Sequence, residues 1–204
     1  GSMSALNDST DTIEEGRASL SSAFLEFCVK VRNNDPSILP EPGAPFQIRD
    51  LGEKEHMELA DALLENTSVI YLNLNTDRYT KCSAEAMAKY VRTSKRLQHV
   101  RCYWYGKTTT DGRNLRQHDE ILCSFLSAIQ ESTSLKKLRI DFPVTDGPYN
   151  MALETMLTHI QSIRSLKIIC RAGILGDITV AAVASGLKKN TTLRDLTLDA
   201  LQGT

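Results

Sequence analysis

The 204-residue chain has no apolar run near the roughly 18–20 residues that a membrane-crossing helix needs, which excludes a helical membrane span. It has only five cysteines, Cys28, Cys82, Cys102, Cys123 and Cys170, with no CxxC and no paired spacing. That excludes a disulfide framework and a thiolate zinc site. An odd count, with Cys28, Cys102 and Cys123 on apolar faces, implies reduced thiols and an intracellular, cytoplasmic protein. No glycine-rich phosphate cradle is present. The histidines His56, His99, His118 and His159 are scattered, and none stands at metal spacing from a cysteine or carboxylate. No nucleophile has a local base. Neither a catalytic site nor a metal or cofactor is expected. The Gly1-Ser2-Met3 start reads as an added tag, and no leader pattern follows it.

What the chain does have is a repeat. The pattern L-x-x-L-x-L recurs as Val69–Leu74, Leu97–Cys102, Leu135–Ile140, Ile163–Ile168 and Leu193–Leu198, at steps of 28, 38, 28 and 30 residues. A period in this range means stacked units, each of which needs a neighbour to bury its apolar face. The alternating end of each unit predicts a short strand with one buried face. A helical face precedes each strand: Met57, Ala60, Leu63 and Leu64; Met87, Tyr90 and Val91; Leu122, Phe125, Leu126 and Ile129; Leu153, Met156, Leu157 and Ile160; Val180, Val183, Ala184 and Leu187. The junctions Glu65-Asn66-Thr67-Ser68, Glu131-Ser132-Thr133-Ser134 and Lys189-Asn190-Thr191-Thr192 suit the tight turn from helix to strand.

Helix, "N-T-S-L" turn and strand in five copies resemble the ribonuclease-inhibitor-like class of leucine-rich repeat over residues 46–201. The resemblance implies an α/β fold: a right-handed horseshoe solenoid with a parallel sheet. That class places Asn or Cys three residues after the last strand leucine. Here those positions hold Asp77, Tyr105, Pro143, Arg171 and Leu201, so irregular strand-to-helix loops are expected. The repeats of tropomodulin and of Ran GTPase-activating protein are similar, which implies actin regulation or GTPase regulation by analogy only. No functional segment of either family matches residue by residue.

The chain divides into a polar tail at 1–11, a capping helix and proline-rich connector at 12–45, and repeats at 46–204 with an insertion near 103–116. The cap helix is predicted from Thr12 to Arg32 on the face Leu20, Phe24, Phe27, Cys28 and Val31, and ends at Asn33-Asn34-Asp35-Pro36. Phe46-Gln47-Ile48 is read as a degenerate strand. Charge is split: residues 1–66 hold 5 Lys+Arg and 13 Asp+Glu, and residues 67–204 hold 19 and 12. Beyond the fifth strand no cap is legible, so self-association or membership in a larger solenoid is the alternative role.

Stacked in register, the outward strand positions form columns on a concave sheet. One column reads Tyr71, His99, Lys137, Ser165, Asp195; the next Asn73, Arg101, Arg139, Lys167, Thr197; the third Asn75, Tyr103, Asp141, Ile169, Asp199. Like charges on adjacent strands are mildly destabilising. A stripe of Arg101, Arg139 and Lys167, backed by Lys137 and flanked by Tyr71, His99 and Tyr103, therefore points to a protein partner with acidic or phosphorylated segments. A solvated face with counter-ions, or neutralisation by Asp141 and the acidic N-terminal part, is the alternative. Trp104, the only tryptophan, stands in the insertion, where it either packs with Tyr103 over the solenoid edge or projects beside the strands as a further contact residue. A sequence pI of about 6.5 speaks against nucleic acid.

Overall fold

The structure is a computed structural model that describes residues 20–41, 44–48, 51–76, 79–103, 112–142, 147–170 and 176–200, with the side chains of 112–118 and 142 outside the description. The elements run α1 (Ser22–Arg32), β1 (Phe46–Gln47), α2 (Glu53–Glu65), β2 (Tyr71–Asn75), α3 (Lys81–Thr93) and β3 (His99–Tyr103). They continue α4 (Gly112–Glu131), β4 (Lys137–Phe142), α5 (Tyr149–His159), β5 (Ser165–Cys170), α6 (Asp177–Leu187) and β6 (Asp195–Ala200). The six strands form one parallel sheet in sequence order. None of the described helices is long and apolar enough to cross a membrane.

Register follows the repeat. Leu72, Val100, Leu138, Leu166 and Leu196 pair in one row, and Leu74, Cys102, Ile140, Ile168 and Leu198 in the other. These rows face the helices, and their side chains from β2 to β5 are buried with Met87, Phe125, Leu126, Leu153 and Met156. Phe46 joins through β1, which pairs with Leu72 in parallel. Burial lifts the Cys28 thiol to about 11, aided by the Glu58 charge, and the Cys102 thiol to about 12. All five cysteines are free.

Two helix faces differ from the sequence expectation. On α2 the buried set is His56, Glu58, Leu59, Ala60, Ala62 and Leu63, while Met57 and Leu64 are exposed. On α6 it is Thr179, Ala182, Val183 and Gly186, while Val180 is exposed. A three-or-four spacing allows more than one face when apolar residues flank the true one. The first helix among the described residues begins at Ser22, because Ser21 is extended and its hydroxyl accepts the Phe24 N–H at 3.2 Å. The residues from 12 to 19, where an earlier start was expected, lie outside the description. The helix ends where Asn34 takes a positive φ of 56°.

A hydroxyl ladder ties the helix-to-strand turns together. Ser134 Oγ donates to the Ser94 carbonyl at 2.7 Å, Ser162 Oγ to the Ser132 carbonyl at 2.7 Å, and Thr192 Oγ1 to the Ile160 carbonyl at 3.2 Å. Each bond satisfies an orphan carbonyl at the end of the preceding repeat's helix. Asn66 and Asn190 clamp their own turns. Asn66 Oδ1 accepts from Ser68 N and Val69 N, and Asn190 Oδ1 from Thr192 N and Leu193 N. Their amides donate back to Val31 O and Leu157 O. The five loop positions where the ribonuclease-inhibitor-like class carries Asn or Cys lie outside the described residues.

Gly186 lets α6 approach α5 closely. A Cβ there would stand 2.6 Å from Leu157 Cβ and 3.0 Å from the Glu154 carbonyl oxygen. Gly186→Ala is therefore expected to destabilise the fold by about 1–3 kcal/mol despite alanine's better helix propensity. Urea unfolding checks it, and an unchanged or higher midpoint would contradict the close packing.

His56 predicts a pH effect. It is buried, its ring lies 4.4 Å from that of Tyr79, and Nδ1 has no partner among the described residues. Burial holds its pKa below the usual histidine range, opposed by the Gly52 backbone and Glu55. The unfolded chain then binds the proton more readily, so stability is complete above about pH 6.5 and falls as pH drops below it. The urea midpoint should decline from pH 7 to pH 5, and His56→Leu should flatten that part of the decline.

Candidate functional site

The face of the sheet opposite the helices carries the three outward columns, and the pairing places them as the repeat pattern predicts. Asn73, Arg101, Arg139, Lys167 and Thr197 stand on successive strands, as do Tyr71, His99, Lys137, Ser165 and Asp195. The structure thus brings together Tyr71, His99, Arg101, Tyr103, Lys137, Arg139 and Lys167. Trp104 and most of the insertion lie outside the described residues.

The basic stripe is not bare. Asp141 sits on β4 with a fully buried side chain and takes both arginines. Arg139 is bidentate, with Nε to Oδ1 at 2.7 Å and Nη2 to Oδ2 at 3.1 Å. Arg101 Nη2 donates to Oδ2 at 2.7 Å from the neighbouring strand. Burial pushes the Asp141 carboxyl pKa up, but the hydrogen bonds from Arg139 and Arg101 and their charges outweigh it and hold it below the usual range. The repulsion expected between Arg101 and Arg139 is relieved by one shared carboxylate. Lys167 has a looser partner, Asp199, at 3.7 Å. Lys137 is exposed and has no carboxylate within 4.0 Å among the described residues.

Aromatic rings frame the cations. Tyr71 and His99 meet edge to face at 5.5 Å, and the Arg101 guanidinium lies 5.2 Å from the Tyr103 ring centre. Partial burial, and then the charge of Lys137, lower the His99 pKa, so the imidazole is neutral at pH 7. Four cations, Arg101, Lys137, Arg139 and Lys167, against three carboxylates, Asp141, Asp195 and Asp199, leave these columns with a surplus of one positive charge, and Asp141 fixes two guanidiniums in place. Such a face can receive carboxylate or phosphate groups on prepositioned N–H donors.

The fold has relatives among solved structures. It resembles the tropomodulin C-terminal domain of Caenorhabditis elegans. The two share 12% identity at a TM-score of 0.54, over 82% of this chain and 92% of that one. A structure described as leiomodin-1 actin-binding site 2 aligns at 16% identity and a TM-score of 0.49, over 83% and 92%. The tropomodulin likeness is one of fold, a parallel α/β repeat of the leucine-rich type. No protein-family model and no curated protein matches the chain.

Proposed function

We propose that the chain is a non-catalytic protein-binding module, a ribonuclease-inhibitor-like solenoid whose curved open sheet face receives an acidic or phosphorylated segment of a partner. The observation that carries this reading is the Arg101–Asp141–Arg139 cluster beside Lys137, which has no carboxylate within 4.0 Å among the described residues, on a sheet face that no described helix covers. A buried carboxylate holds the guanidinium forks, so less side-chain freedom is lost on binding. Tyr71, His99 and Tyr103 supply rigid contact area next to the charges.

The test is capture of partners from native-source lysate with wild type and with Lys137→Glu/Lys167→Glu. This pair leaves the Asp141 cluster intact. Acidic partners held by wild type at low salt, weakened at high salt and lost by the variant are expected. Partners retained equally by both would move the binding surface elsewhere. Tropomodulin-like actin regulation draws on likeness of fold alone. Cosedimentation with actin filaments tests it directly.

A second reading has its own observation. Leu196 and Leu198 on β6 are 40% and 39% exposed, whereas their counterparts Leu166 and Ile168 on β5 are 1% and 0% exposed. An uncovered apolar row on an edge strand suits a further strand or a second copy. Light scattering at rising concentration tests self-association: a strict monomer contradicts pairing of copies through this edge.

A further inference from the structure

One charged feature is not used by the open face. Each strand from β4 to β6 is preceded by a basic residue in the same register position: Lys136, Arg164 and Arg194. A continuous run of backbone hydrogen bonds links them: Lys136 N to Gln98 O at 2.7 Å, Arg164 N to Lys136 O at 2.8 Å, and Arg194 N to Arg164 O at 2.8 Å. Lys95 and Arg96 stand in the turn just before β3. The five cations thus follow the edge where helices turn into strands.

None of the five has a carboxylate within 4.0 Å among the described residues, in contrast to Arg101 and Arg139. The acids closest along the chain are committed or set aside: Glu131 pairs with Arg92, and Asp195 belongs to the open-face column. Arg96 Nε donates to Thr67 O at 3.1 Å and Arg164 Nη1 to Thr192 O at 2.9 Å, so two of the cations are held against the turns. Lys95, Lys136 and Arg194 are exposed and make no side-chain hydrogen bond or ion pair among the described residues. Adjacent strands lie about 4.8 Å apart, so like charges in this row repel one another. Among the described residues, no hydrogen bond or ion pair accounts for the charge at the exposed Lys95, Lys136 and Arg194.

We infer that this strand-start row is a second docking surface, separate from the open face, for a carboxylate-rich peptide lying across the strands. From β3 to β6 it spans about 14 Å, which four or five extended residues cover at about 3.3 Å each. The row contains no aromatic side chain on which a base could stack. The net charge of −1 gives the chain as a whole no pull on polyanions. The charge is local, and an acidic peptide matches it.

The test is fluorescence anisotropy with a labelled octaglutamate peptide, against wild type, Lys136→Glu/Arg194→Glu and Lys137→Glu/Lys167→Glu. The two variants carry the same change of net charge, and circular dichroism checks that both are folded. The row variant is expected to lose about tenfold or more in affinity and the open-face variant less than threefold. Loss confined to the open-face variant would overturn the inference and favour the open face instead. Equal loss in both would overturn a separate row. Absence of binding by wild type would overturn it too, while leaving the lysate capture to judge the open face. Tighter binding of a thymidine octamer or of phosphatidylserine vesicles would overturn the choice of a peptide.

Discussion

Asp141→Ala is expected to destabilise the protein by about 2–3 kcal/mol and to weaken partner binding together with it. The carboxylate is fully buried and holds Arg101 and Arg139 by three hydrogen bonds of 2.7–3.1 Å. Its removal takes away the carboxylate that two guanidiniums on neighbouring strands share. A fully buried broken pair costs about 3–5 kcal/mol, and the lower figure here reflects side chains 21% and 36% exposed to water. Because the folded pKa of Asp141 is lowered, its contribution is complete above about pH 3.9 and is lost as pH falls through the folded value. Asp141→Asn should therefore remove part of the acid sensitivity below about pH 4. Urea titrations of wild type and both variants at pH 7 and pH 3 check this. A variant as stable as wild type at pH 7 would show that the arginines do not depend on Asp141.

The larger loss is expected from Phe125→Ala, about 3–5 kcal/mol. Phe125 on α4 is fully buried, and its ring meets that of Tyr79 edge to face at 5.4 Å. Tyr79 in turn meets the His56 ring in a tilted contact at 4.4 Å, so one aromatic run joins α2, the segment after β2 and α4. Truncation opens a cavity between two repeats and removes the edge-to-face contact, worth about 0.5–1.5 kcal/mol beyond its area. In a stack of repeats each unit leans on its neighbours, so the melting transition should broaden as well as shift. Differential scanning calorimetry reads both. A loss below 1 kcal/mol would mean that neighbouring side chains close the gap.

The repeat made most of this legible in advance. The strand rows, the outward columns and even the degenerate strand at Phe46–Gln47 follow from spacing alone, because a one-residue shift in register would turn every leucine to the wrong face. The helix faces were less legible. Met57 and Leu64 are apolar yet exposed, while His56 is buried against Tyr79, a contact between repeats that no local period encodes. The charged stripe was legible as a column, and Asp141 was visible as an acid beside its two arginines. That a single carboxylate serves two strands depends on side-chain geometry. The hydroxyl ladder of Ser134, Ser162 and Thr192 had a signal, a Ser or Thr recurring one residue before the first strand hydrophobic, but its partners are carbonyls and leave no mark in the sequence.

The most direct test of the central claim places a photocrosslinking amino acid at Ser165, in the open-face column between Lys137 and Asp195, or at Met151, which is 79% exposed on the opposite, helical side. Both proteins are irradiated in native-source lysate. The open-face account predicts a partner joined at Ser165 and absent at Met151, with the Ser165 product disappearing in the Lys137→Glu/Lys167→Glu background. Crosslinks from Met151 alone, or from both positions equally, would contradict it.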